Sequence, residues 1–282
     1  MRSALILAVM AAAACAQDQP PANPQPAQPV VLENTGKPMV LPFRCSGDDI
    51  LLGGLSCSEE EPCPVYLELT WVEGGGDKLF AVGNLHTAAV TLYSVLLASD
   101  DAGHTWREAY ERMRGAGLDH VQFLDPETGW ASGETLYPLP QEPFVLNTTD
   151  GGKTWRKHFI FGDNSDNRFG SIQQIYFAAK NSGSVVVDRG EGAGSERYAL
   201  YETPDGESWM IKEESGKPIR LKHLPPAPDW RARADGPTQS FLIERRQGER
   251  WTRVAAFAVK LAPCKPGAPS DGGPPGETVI KH

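Results

Sequence analysis

The stretch "SDDAGHTW", Ser99 to Trp106, comes back as "TTDGGKTW", Thr148 to Trp155. Both read hydroxyl, any residue, Asp, any residue, Gly, any residue, Thr, Trp. A third copy, "TPDGESW" (Thr203 to Trp209), is one residue shorter but keeps Thr203, Asp205, a Gly and Trp209. In a fourth, "RRQGERW" (Arg245 to Trp251), only the Gly and Trp251 survive. The tryptophans stand at 106, 155, 209 and 251, a period of roughly fifty residues that marks a repeat architecture.

Working outward, each copy sits among β-rich runs broken by Gly, Asp and Pro clusters. Unit one offers "VYLELTWV", "LFAVGNL", "YSVLLAS" and "REAYERM"; unit two offers "LDHVQFLD", "WASGETL", "FVLNTT" and "RKHFIF". Unit three reads "SIQQIYFA", "SVVVDRG", "YALYET" and "WMIKEE". Unit four is fainter, with "IRLKHL", an unclear second strand, "SFLIERR" and "TRVAAFAVKL". Phe123 and Gly129 in unit two align with Phe177 and Gly183 in unit three. The pattern predicts an all-β chain, a β-propeller of about four four-stranded antiparallel blades. Strands from "PMVLPFRCSGDDILLGG" would make a partial N-terminal fifth blade the alternative.

Taken residue by residue, the recurring stretch is a corner rather than a reaction centre. Asp101 and Asp150 can accept hydrogen bonds from nearby backbone N–H groups. Gly103 and Gly152 supply a backbone conformation that other residues avoid. Trp106 and Trp155 carry large apolar area to bury against the next sheet. Ser99, Thr105, Thr148 and Thr154 complete the two strong copies. With these residues, Val65 to Leu261 resembles the Asp-box, or bacterial neuraminidase repeat, of sialidases and many non-sialidase propellers. The pairing of "GWASG" with "TTDGGKTW" is similar to the propeller of photosystem II assembly factors. The resemblance implies that the boxes lie between the third and fourth strands of each blade, away from any catalytic face. It also implies what a sialidase needs: three arginines, a Tyr–Glu nucleophile pair and an Asp acid, on six blades. "PFRCSG" lacks the Ile-Pro of the family's arginine motif, so Arg44 is not expected to clamp a substrate.

Loops opposite the boxes are where a propeller would carry binding. They bring Arg112, Arg114, His120, Glu134, Arg168, Arg189 and Arg197, with His86 and Tyr137, toward one face, as a candidate binding surface or as solvated charges. A glycan-active alternative would use Glu134 with Asp163 or Asp166 as a carboxylate pair. "GEGAG" at Gly190 to Gly194 has no GK[ST] after it and reads as a hairpin loop. "SEEEPC" reads as a solvated acidic loop rather than a calcium site. No catalytic set, metal site or cofactor is assigned. "NTT" at Asn147 overlaps the junction into a box and is discounted as a glycosylation signal.

The ends of the chain speak to its location. "MRSALILAVMAAAACAQ" reads as an export signal over residues 1–16: a basic start, an apolar stretch and a small-residue cleavage zone. "AAAC" would leave Cys15 lipidated, whereas cleavage after "ACA" would release a soluble chain. Residues 17–38 are a Pro-rich tether, 39–263 the propeller with its disulfide segment, and 264–282 a polar tail. An oxidising compartment pairs thiols. Four cysteines remain in the body and allow three connectivities. The expected pairs are Cys57–Cys63 across a short loop and Cys45–Cys264 joining the ends; a metal site is the minor alternative.

With 24 Pro and 29 Gly among 282 residues, the composition favours many short strands. A net charge of −9 argues against nucleic acid, whose phosphates want a basic face. The expectation is an exported, non-enzymatic propeller, a periplasmic or outer-envelope binding or assembly module with a protein or glycan partner. Its contact with membrane would be through a lipid anchor alone.

Overall fold

The computed structural model describes residues 30–136, 142–161, 170–222 and 228–266. Sheet 1 is built from β1 (Val31–Glu33), β2 (Tyr66–Gly75), β3 (Lys78–His86), β4 (Thr91–Ser99) and β5 (Thr105–Glu108), in the order β1-β5-β4-β3-β2. Sheet 2 runs β6 (Ala116–Phe123), β7 (Gly129–Thr135), β8 (Glu142–Thr148) and β9 (Arg156–Phe159). Sheet 3 runs β10 (Ser171–Ala179), β11 (Ser182–Asp188), β12 (Tyr198–Thr203) and β13 (Met210–Ser215). Sheet 4 holds β14 (Trp230–Asp235), β15 (Ser240–Gln247) and β16 (Arg250–Ala258). Pairing within the sheets is antiparallel. The first strands face one another: β14 packs on β2, β2 on β6, and β6 and β7 on β10. Four antiparallel sheets set side by side in this way are the blades of a β-propeller.

The seams explain the repeat. Phe80 of sheet 1 stacks on Phe123 of sheet 2 at 4.3 Å between ring centroids, and Trp155 meets both edge-on. One seam further, Trp130 stacks on Phe177 at 3.9 Å, with Trp209 edge-on to Phe177. Each seam therefore takes an aromatic from the second strand of one blade and a Phe plus a corner Trp from the next. Gly129 and Gly183 follow from this geometry. A Cβ at either would come within 2.6 Å or 2.5 Å of the Phe123 or Phe177 ring that lies over it. A buried amide adds polar stitching: Gln122 donates to the Phe177 carbonyl at 2.8 Å and accepts from its N–H at 2.9 Å.

The corners use their hydroxyls and carboxylates as the residue types suggest. The Ser99 hydroxyl accepts from the Gly103 N–H and donates to Asp101, which accepts from the Thr105 N–H at 2.8 Å and hydroxyl at 2.7 Å. Thr148, Asp150, Gly152 and Thr154 repeat this scheme, and Thr203 with Asp205 repeats most of it. Gly103 and Gly152 have φ of +90° and +79°. Trp106 closes its corner against Phe257 of β16.

Several expectations need correction. Sheet 1 has five strands and sheet 4 three, not four each. "IRLKHL" forms no strand among its described residues: Ile219 and Leu221 pack on Val186, Tyr176 and Leu200 of sheet 3, while β14 begins at Trp230. Trp251 does not close a seam. The fourth corner has no Asp to organise it, so β15 turns tightly into β16 through Gly248, and the indole lies half-buried under the Arg231 guanidinium at 4.2 Å.

The N-terminal segment makes no fifth blade. Met39 pairs parallel with Phe257, adding its backbone to sheet 4, and Gly47–Leu52 forms a short helix, α1. β1 lies within the stretch whose composition reads as tether, because three residues there find the free edge of β5. Disulfides join Cys45 to Cys264 and Cys57 to Cys63; Cys264, placed in the tail by composition, is fully buried. Two such bonds point to an oxidising, exported environment. No helix among the described residues is long and apolar enough to cross a membrane.

Candidate functional site

The first strands of three blades share a defect. In β2 the register with β3 slips between Leu69 and Trp71, leaving Thr70 as an extra residue. In β6 it slips between Leu118 and His120, leaving Asp119; in β10 between Ile172 and Gln174, leaving Gln173. Such β-bulges re-aim side chains and bend the strand. Opposite the first two bulges the partner strands adapt with glycine. A Cβ at Gly83 would sit 1.9 Å from the Glu68 carbonyl oxygen, and one at Gly133 2.0 Å from that of Gly117.

Around the bulges lies a cavity of about 320 Å³, lined by Trp71, Asp119, His120, Ser132, Gln173 and Gln174 over an apolar wall of Ile172 and Ile175. The Trp71 and His120 rings meet across the seam, tilted at 41° with centroids 4.3 Å apart. Thr70 ties β2 to β6 by donating to the Leu118 carbonyl at 2.9 Å. Glu134 is two residues on from Ser132, which pairs in register with His120.

The electrostatics are unusual for so polar a place. Ser132 is 1% exposed, and its Oγ has no hydrogen-bond partner. The His120 Nδ1 and one Glu134 carboxylate oxygen are buried and likewise unpartnered. Burial pushes the Glu134 carboxyl up to about 7, and the Asp119 charge adds to the rise. Asp119 is raised by desolvation and by Glu68. Asp119 is nevertheless solvent-exposed where it lines the cavity. Burial drives His120 down to about 4, so its ring is neutral at pH 7. Among the described residues no His, Cys, Asp and Glu cluster could hold a metal ion.

The described arginines of the candidate face do not meet. Arg112 grips Glu108 at 2.6 Å and the Pro42 carbonyl at 2.7 Å. Arg114 holds Asp49 of α1 and the Tyr93 hydroxyl. Arg189 binds Glu214 at 2.6 Å and the Tyr201 hydroxyl at 2.8 Å; Arg197 forks onto Asp188. Of that face, His120 lines the cavity, and Glu134 follows two residues after Ser132 on β7. His86 lies beside the Thr87 carbonyl. Arg168, Tyr137, Asp163, Asp166 and Cys15 lie outside the described residues.

Trp71, Asp119, Ser132 and Gln173 escaped the residue-by-residue reading, although a signal existed. "LTWV", "LDHV" and "IQQI" place Trp71, His120 and Gln174 at the offsets that separate Trp106, Trp155 and Trp209.

No protein-family model and no curated protein matches this chain. Among solved structures it is similar to a GH74 xyloglucanase from Xanthomonas campestris at 15% identity and a TM-score of 0.36. The likeness covers 49% of this chain and 19% of that one, so the chain spans about a fifth of that enzyme's length.

Proposed function

We propose that this chain is an exported, non-enzymatic β-propeller that binds a partner molecule of the cell envelope in its bulge-lined cavity, with Asp-box-type corners as scaffold. One observation carries this reading: the buried Ser132 Oγ and His120 Nδ1 in the lining of one cavity, and a Glu134 carboxylate oxygen two residues on from Ser132, are left without partners. Unpaired buried polar groups cost about 1–3 kcal/mol each, which a ligand that pairs with them recovers. The leader-like start and the two disulfides support export. Immobilised full-length chain should retain a glycan or protein from envelope extracts. Ser132→Val, which removes the hydroxyl and fills part of the cavity, should lose it while melting at the wild-type temperature. Equal retention by both would refute the site.

The second reading is a glycan hydrolase, favoured by two interacting carboxyls, Asp119 and Glu134, both raised above their ordinary range. Release of reducing ends from envelope glycans, abolished in Glu134→Gln, would establish it in place of the first.

A further inference from the structure

Elsewhere in the molecule, carboxylates that approach arginines are neutralised. Asp188 is held by Arg197, Glu214 by Arg189, Glu108 by Arg112, and Glu244 by both Arg231 and Arg233. The cavity breaks this rule. The charges acting on Asp119 and Glu134 come from other carboxylates, Glu68 on the first and Asp119 on the second. Among the described residues no lysine or arginine lines the cavity, and its one histidine is neutral. The buried Ser132 hydroxyl, unpartnered at its wall, is a separate sign of a missing polar guest.

We propose that the cavity takes a cationic group, an ammonium or guanidinium, held by Asp119 and Glu134, with Ser132 and the Gln173 amide oxygen as further acceptors. The inference rests on the cavity being the binding seat. Charge decides against the other classes. A carboxylate or phosphate guest would meet Asp119 in the lining, with the Glu134 carboxyl within reach of the Asp119 charge, and among the described residues no cation; like charges repel. A neutral sugar would satisfy Ser132 but leave the repulsion between Asp119 and Glu134 untouched. A cation relieves both at once, and the aromatic pair Trp71–His120 adds a polarisable wall. The arrangement reverses a sialidase-type site, where arginines grip an anion.

The test is a titration of the ¹⁵N-labelled full chain with n-butylammonium, methylguanidinium, methyl β-glucoside and acetate, followed by the Trp71 indole and Gln173 amide resonances. Both cations should shift these signals saturably, and added salt should weaken them. Glu134→Gln and Asp119→Asn, close to isosteric and checked for unchanged melting, should each lower cation affinity about tenfold, or 1.4 kcal/mol. Cation binding at wild-type strength in both variants overturns the proposal. Shifts with the glucoside alone overturn the cationic guest but leave the cavity as the seat. Silence with all four probes also overturns it, and envelope capture that still depends on Ser132 would then keep the binding module.

Discussion

Asp150, half-buried, collects four hydrogen bonds from Thr148, Lys153 and Thr154. The Thr154 hydroxyl and N–H hold its carboxyl at about 2. At Asp101, desolvation pushes upward, but Thr105 and Ser99 outweigh it and the carboxyl also rests at about 2. Folded values below 3.8 mean stability that is present above that pH and lost as pH falls toward 2. Asp150→Asn should therefore lower the melting temperature at pH 7 and flatten the acid limb between pH 3.8 and about 2, read by thermal melts across pH. Gly129 makes a sharper demand, because Phe123 occupies the place of its Cβ. Gly129→Ala should cost about 1–3 kcal/mol in denaturant unfolding, as overpacking does.

At the scale of elements, the seam between sheets 2 and 3 depends on Gln122, whose amide serves both backbone groups of Phe177. Gln122→Leu should destabilise by about 3 kcal/mol in urea melts, because a buried N–H and carbonyl lose their partner together. The bulged strands give the cavity its own pH signature. Glu134, raised from 4.5 to about 7, contributes stability that is present below 4.5 and lost as pH rises toward 7. His120, lowered from 6.5 to about 4, does the reverse: its contribution is present above 6.5 and lost as pH falls through 4. Relative to wild type, Glu134→Gln should gain stability steadily from pH 4.5 to 7, and His120→Asn from pH 6.5 down to 4. Chemical unfolding at fixed pH steps reads both slopes.

Over the whole molecule, the first and last blades are bound by the chain ends. Met39 extends sheet 4 beside β16, Cys63 pairs with Cys264 through both backbone bonds, and the Cys45–Cys264 disulfide closes a loop 219 residues long. In the chain-entropy picture a loop of that length stabilises by about 5 kcal/mol at most. Replacing Cys45 and Cys264 by Ala should remove several kcal/mol in equilibrium unfolding while leaving the corners of sheets 2 and 3 intact by hydrogen exchange. The Cys57–Cys63 pair spans six residues and should matter less by the same measurement.

The blades were legible because their causes are local. Asp, Gly and Trp at fixed offsets make a corner whichever sheet lies next door, and Phe123 with Gly129 or Phe177 with Gly183 records a ring lying over a glycine. Sheet 4 was misread where that local signature fades: Trp251 has no box Asp before it, and Leu221 is apolar because it covers sheet 3, not because it belongs to a strand. Composition likewise placed β1 and Cys264 in tether and tail, since neither pairing with β5 nor burial beside Cys63 leaves a mark nearby in sequence. Beyond the shared offsets of Trp71, His120 and Gln174, the cavity was decided by tertiary structure. His120 and Glu134 are ordinary surface types in the sequence, and the arginines near them look equally available. Only the packing of β2, β6 and β10 sets Trp71, Asp119, His120 and Gln173 around one space, while the described arginines of the candidate face pair elsewhere and Glu134 stays within reach of the Asp119 charge.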